Sequence, residues 1–302
     1  MPTDSSFTFA SPTPIRVDFE LHSARLEFVA GERTDTLVTV EPRNPSRSGD
    51  VNAVRGTTVD FVDGHLSIVQ PKRWNILGPN ADTIFVTIEL PVGSAVIGTI
   101  AMGNVRGTGR VGVCTIKSSY GDLIFDETAA AELRTSSGDI AIGAIRGDTE
   151  LQTSNGAIRV DLIDGSGSAK TSNGDIVIGE VTGSLETKVG SGGIRIDVAG
   201  PETFAKIAYG NARIGQVAQG SVRLEGAYGE LEVGVPEGTS AWLDLNSAHG
   251  FVRNELKADT APQAGDRTVE VRARVNWGDI VVRRPVTHRP GDRGTRSNRE
   301  GN

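Results

Sequence analysis

Short runs of alternating apolar and polar residues recur along the middle of the chain at a nearly fixed interval. Ser118-Ser119-Tyr120-Gly121-Asp122-Leu123 is followed by Thr135-Ser136-Ser137-Gly138-Asp139-Ile140, then Thr153-Ser154-Asn155-Gly156-Ala157-Ile158 and Thr171-Ser172-Asn173-Gly174-Asp175-Ile176. Weaker copies carry Gly192, Gly210 and Gly229, and the steps between these key glycines are 17, 18, 18, 18, 18 and 19 residues. Degenerate copies fall at Gly250 and Gly278. After the glycine comes an apolar/any/apolar triplet such as Ile140-Ala141-Ile142, Ile158-Arg159-Val160 or Ile176-Val177-Ile178. Side chains alternate along a strand, so the outer two residues of each triplet face one way and the middle one the other. A second strand follows in each unit. Its inward set is Leu151 and Thr153, Ala169 and Thr171, Thr187 and Val189, and its outward set is Glu150 and Gln152, Ser168 and Lys170, Glu186 and Lys188.

One such unit exposes an apolar stripe that it cannot bury alone. Stacking units puts isoleucine over isoleucine and pairs each backbone with the next coil at ~4.8 Å. The expected fold class is therefore all-β, a β-solenoid of about 18 residues per coil, its small inward Ala and Thr residues letting two strands of a flattened coil approach. A run of hairpins forming a sandwich or propeller is the competing arrangement, and the constant step with position-specific identity favours stacking. The key glycine fits a position of positive φ. Asn155 and Asn173, one residue earlier, suit a turn because Asn tolerates the left-handed conformation.

The flanks lack the repeat. Strand-like runs such as Ile15–Phe19, Ala24–Phe28, Thr36–Val40 and Ile84–Ile88 hold larger side chains, and six of the nine phenylalanines fall between Phe7 and Phe85. The expected organisation is a disordered tail over 1–14, a β sheet or sandwich cap over 15–100, repeats over 101–235, degenerate coils and a C-terminal cap over 236–284, and a basic disordered tail over 285–302. Pro42–Asp50 and Lys257–Asp266 read as loops.

Composition supports a slim architecture: 37% of residues are apolar, 5% aromatic, and glycine occurs 38 times. The net charge is −7, yet Arg283 to Asn302 carries six arginines against Asp292 and Glu300, so the rest of the chain is more acidic still. An acidic body argues against a nucleic-acid surface over most of the fold. A single cysteine excludes an internal disulfide, and no segment approaches the ~18 apolar residues of a spanning helix. With no signal peptide legible, the expected location is cytoplasmic, with surface exposure by another route left open.

Several residue sets invite a chemical reading. Asp122, Asp139, Asp175 and Asp279 follow the turn glycine; a calcium ladder is one reading, but Ala157, Gly193 and Asn211 interrupt the row, and solvated turn carboxylates are favoured. Carbohydrate-active β-helices need two carboxylates facing one cleft; the outward row Ala141, Arg159, Val177, Arg195, Arg213 holds none, and Asp161 and Asp197 fall two coils apart. His22, His65, His249 and His288 lack metal-ligand spacing. Cys114 sits in an apolar run and reads as a small buried hydrophobe. Two sets suit a partner: the arginine row Arg159, Arg195, Arg213, and the aromatic turn set Tyr209, Tyr228, His249, Trp277 directly before the key glycines; for the aromatics, capping and covering the last coils is the favoured alternative.

Leu90-Pro91-Val92-Gly93-Ser94 before the array, Val235-Pro236-Glu237-Gly238-Thr239 near its end, and the Ser/Thr-Ser/Asn-x-Gly-Asp-Ile repeats resemble the bacterial putative-adhesin β-strand-repeat family, a domain of unknown function. Ala241–Leu245 and Arg253–Leu256 are similar to its actinobacterial members. Over residues 15–284 this resemblance implies a β-solenoid-like fold and an adhesin-type role, with no catalytic residues to carry over. The expected function is a non-catalytic scaffold for a protein or glycan partner, with no cofactor and no metal. The alternatives are a β-helix polysaccharide lyase or hydrolase, and a regulator tethered to anionic lipid or nucleic acid by the basic tail.

Overall fold

The computed structural model of the chain describes residues 5–71, 82–256 and 267–285. The N-terminal elements are β1 (Ser5–Ala10), β2 (Arg16–Gly31), β3 (Asp35–Pro42), helix α1 (Ser48–Gly56), β4 (Thr58–Val62), β5 (His65–Val69), β6 (Ile84–Pro91) and β7 (Ala95–Met102). The array follows as β8 (Val105–Tyr120), β9 (Leu123–Ser137), β10 (Ile140–Ile145), β11 (Thr149–Asn155), β12 (Ile158–Ile163), β13 (Gly167–Asn173), β14 (Ile176–Val181) and β15 (Ser184–Ser191). It continues as β16 (Ile194–Val198), β17 (Glu202–Tyr209), β18 (Ala212–Gln216), β19 (Gly220–Tyr228) and β20 (Leu231–Gly234). Last come β21 (Thr239–His249), β22 (Val252–Asn254), β23 (Arg267–Trp277) and β24 (Ile280–Arg283).

The chain is a β-solenoid. Two parallel ladders run its length, one through β11, β13, β15, β17 and β19, the other through β10, β12, β14, β16, β18 and β20. In the second ladder Ile140 pairs with Ile158, Ile158 with Ile176, and Ile176 with Ile194. All four are at most 2% exposed, and the inward sets of both ladders join one core. The ladders stay continuous at the glycine corner, where Gly138 N–H donates to Asn155 O at 2.9 Å and Gly156 N–H to Asn173 O at 3.0 Å. Inward threonines satisfy their hydroxyls against the previous corner: Thr153 Oγ1 donates to Gly138 O and Thr171 Oγ1 to Gly156 O, both at 3.0 Å. A polar residue is thereby tolerated in the core.

The corner glycines take positive φ, with Gly156 at 151° and Gly174 at 138°. Asn155 and Asn173 do not, contrary to the left-handed role expected of them. They stack instead, Asn173 Nδ2 donating to Asn155 Oδ1 at 3.1 Å.

The ends depart from sequence order. The first half of β2 pairs with β7 and its second half with β8, so β2 is already a coil of the stack. Its other edge carries β5 and β6, which come later in the chain. Antiparallel strands then close that end: β4 on β5, β3 on β6, and β1 on β3. Within the expected cap region 15–100, β2, β5, β6 and β7 thus continue the parallel stack, and only β3 and β4 join it by antiparallel pairing. Ser5–Ala10, expected within a disordered tail, is a strand because Phe7 and Phe9 alternate with polar residues, and Phe9 stacks on Phe61 at 4.8 Å. Part of the expected Pro42–Asp50 loop is the start of α1, anchored by Asp50, whose carboxylate accepts the N–H groups of Asn44 and Thr83 at 3.0 Å.

At the other end, β23 lies between β19 and β21, and β24 between β20 and β22. The copy at Gly278 therefore follows Gly229 in space, and the copy at Gly250 is outermost. The expected loop at 257–266 and tail beyond residue 285 lie outside the described residues.

Candidate functional site

The turn carboxylates have a structural task. Asp122 Oδ1 accepts the N–H of Asp139 at 2.9 Å, Asp139 Oδ1 that of Ala157 at 2.8 Å, Asp175 Oδ1 that of Gly193 at 2.7 Å, and Asp279 Oδ1 that of Phe251 at 2.9 Å. Asn104 and Asn211 do the same with amide oxygens toward Asp122 and Glu230. Each staples its coil to the next, which accounts for an acceptor at this position. The fragile member is Asp139, which the Ala157 N–H holds below the usual carboxylate range, with Arg159 adding to the effect against a smaller opposing push from burial.

A depressed folded-state pKa means that the folded protein binds fewer protons than the unfolded chain. The stabilisation is present above the unfolded value of about 3.9 and is lost as pH falls through the folded value. Asp139→Asn keeps the acceptor and removes the titration. Its urea midpoint is expected within about 0.5 kcal/mol of the wild type at neutral pH. Its stability is then expected to fall less steeply from about pH 5 to about pH 3. Equal slopes for the two proteins refute this account of the turn.

The arginine row forms as a column, with Val177 between Arg159 and Arg195 and with Arg195 beside Arg213. Each guanidinium has a carboxylate: Arg159 meets Asp139 at 2.9 Å, Arg195 meets Asp197 at 2.7 Å, and Arg213 meets Glu232 at 3.4 Å. Asp161 and Asp197 share a neighbouring column with Gly179 between them. Cys114 is buried and desolvation pushes its thiol up to about 12, which leaves it no thiolate at neutral pH.

The aromatic turn set comes together as one column ordered Tyr209, Tyr228, Trp277, His249. The Tyr209 and Tyr228 rings stack at 5.1 Å with 4° between planes, and His249 stacks on Trp277 at 3.9 Å. Tyr209, Tyr228 and Trp277 remain 59%, 46% and 51% exposed.

Beside this edge runs a feature that sequence reading did not assemble. Lys170, Lys188 and Lys206 occupy one outward column, one lysine per coil. The next outward column is Ser172, Gly190, Ala208 and Ala227, all small. Between them opens a surface groove of about 570 Å³ that extends to Arg274 and Asn276 on β23. Lys188 pairs with Glu186, and Lys206 with Glu225 at 3.2 Å. Glu186 is held below the usual carboxylate range by its hydrogen bond from Lys188, with the charge of Lys170 contributing. Burial raises Glu225, but Arg223 and Lys206 outweigh it and leave it lowered. The signal was present in the chain as an 18-residue lysine spacing, whereas the groove needed the register.

No helix among the described residues is long and apolar enough to cross a membrane. No family model matches the chain, and no curated protein matches it. Among solved structures it is similar to a putative adhesin of Bacteroides fragilis at 12% identity, covering 92% of this chain and 96% of that one with a TM-score of 0.44. It is also similar to a putative adhesin of Parabacteroides merdae at 13% identity, covering 91% and 95% with a TM-score of 0.45. A putative lipid binding protein of Parabacteroides distasonis stands at 14% identity, 92% and 96% coverage and a TM-score of 0.42.

Proposed function

We propose that the protein is a non-catalytic scaffold that holds a protein or glycan partner along the outside of its solenoid. The observation that carries this reading is the half-exposed aromatic column of Tyr209, Tyr228 and Trp277 beside a long shallow groove. The backbone of each of these residues is held in a ladder on both sides, and each ring stacks on a neighbour, which reduces the ordering that opposes binding. Aromatic side chains with few rotatable bonds, set on a rigid element, are the usual anchors of an interface. Arg159, Arg195 and Arg213 are a second contact set in this reading, on the other ladder.

Catalysis has no part in the proposal. Asp161 and Asp197 are two coils apart, ~10 Å, and Asp197 is tied to Arg195, an arrangement without a shared cleft for acid and base.

The test is capture on a glycan array and from cell extract by the wild type and by Tyr209→Ala/Tyr228→Ala/Trp277→Ala. The triple variant is expected to bind about tenfold or more weakly. Tyr209→Phe/Tyr228→Phe, which keeps the rings, is expected to bind as the wild type does. Undiminished capture by the alanine variant, or release of products from a polysaccharide panel by the wild type, overturns the reading.

A further inference from the structure

The groove beside the aromatic edge has its own chemistry. Its charged lining is Lys170, Lys188, Lys206 and Arg274 against the single carboxylate of Glu225, on a chain whose net charge is −7. The lysines repeat at the ladder spacing of ~4.8 Å and run parallel to the stack. The ion pairs of Lys188 and Lys206 are exposed, with side chains 46% and 57% accessible. Such pairs are weak and screened, so the ammonium groups are free to exchange partners. The floor of Ser172, Gly190, Ala208 and Ala227 lets a chain lie close to the backbone.

We propose that this groove binds an extended acidic polysaccharide of the uronate class, laid along the solenoid with its carboxylates facing the lysine column. The proposal rests on the scaffold reading above and deepens it. The match is one of charge and repeat: three successive coils each present a lysine in one outward column, and a uronate polymer carries a carboxylate on every sugar. The aromatic column is the next position along the same strands. At its near end Tyr209 follows Ser191 and Asn173 in the register, so its ring face on that side has no aromatic neighbour and is open to the apolar face of a sugar.

Single-stranded nucleic acid is the other polymer that pairs cations with aromatics, and it needs a free ring face for each base. Here the Tyr209 and Tyr228 rings already cover each other at 5.1 Å, and Trp277 is covered by His249 at 3.9 Å. The column leaves no series of gaps for bases.

The experiment titrates end-labelled oligogalacturonate and oligomannuronate, methyl-esterified oligogalacturonate and oligothymidylate into the full-length protein at one fixed salt concentration. An acidic oligosaccharide is expected to bind, and its ester about tenfold or more weakly. Lys170→Glu/Lys188→Glu/Lys206→Glu is expected to lose at least about tenfold for the acid form, and the corresponding glutamine variant a smaller factor. Arg106→Glu/Arg110→Glu/Arg146→Glu changes the net charge equally, away from the groove, and is expected to stay within about twofold. Equal binding of ester and acid, an unaffected lysine variant, or oligothymidylate bound as tightly as the uronates overturns the proposal. If no uronate binds while other partners are still captured through the aromatic edge, this ligand falls and the scaffold stands. If neither is captured, both fall.

Discussion

Replacing Gly156 by alanine is expected to lower stability by about 3 kcal/mol or more. Two causes act at the same atom. The residue sits at φ 151°, where a side chain is strained. A β-carbon there would lie 2.0 Å from the carbonyl oxygen of Gly138 and 2.6 Å from its carbon. Those are backbone atoms of the neighbouring coil. The Gly138 oxygen is also the acceptor of the Thr153 hydroxyl, so it cannot withdraw without loosening a buried threonine. The same column contains Gly121, Gly138, Gly174 and Gly192, where an added β-carbon would likewise fall within 2.2 Å of the preceding corner's carbonyl oxygen. Relief at one coil therefore has to be absorbed by its neighbours. Gly31 is the control, because a β-carbon there meets nothing within 4 Å. Gly31→Ala is expected to be neutral, or stabilising by a few tenths of a kcal/mol, by restricting the unfolded chain. Urea midpoints of the two variants decide the matter. If Gly156→Ala unfolds within about 0.5 kcal/mol of Gly31→Ala, the corners do not carry the close approach described here.

The repeat made the centre of the fold legible and left its ends illegible, for one reason. Alternation tells which side chains face the core, and an 18-residue step tells that coils stack, so the ladder of Ile140, Ile158, Ile176 and Ile194 follows from residues alone. Neither property tells which coil is whose neighbour. Val271 and Leu243 satisfy the inward pattern equally well in either order, and β2 reads as a strand whether it belongs to a cap or to the stack. The turn aspartates were visible as a residue type, but their partner is an N–H on the next coil, which only the register supplies. The same holds for the candidate site. The aromatic column was legible because every member directly precedes a key glycine. The lysine column was half legible, with Lys170 and Lys188 recognised as outward, and it became a groove only when Lys206 and the small residues beside it fell into line.

The exchanged order of the last two coils has an energetic signature of its own. Val271 is fully buried, paired on one side with Val222 and on the other with Leu243. Leu243 is only partly buried and packs against the core from the outermost coil. Val271→Asp places an unpaired carboxylate in the interior and is expected to cost about 4 kcal/mol or more. Leu243→Asp leaves its carboxylate within reach of water at the end of the stack and is expected to cost less than half of that. If the coils stacked in chain order, Leu243 would lie beside Val222 and Val271 would be outermost, and the ranking would invert. The arrangement also explains why the C-terminal strands are held. Terminal segments are poorly ordered unless tied down. With β23 bonded along both edges, releasing it requires two ladders to part instead of one. The β2 strand near the N-terminus is bonded along both edges in the same way, between β5 and β6 on one side and β7 and β8 on the other. A larger loss from Leu243→Asp than from Val271→Asp in matched urea unfolding curves removes the exchanged order, and the protection of that chain end goes with it.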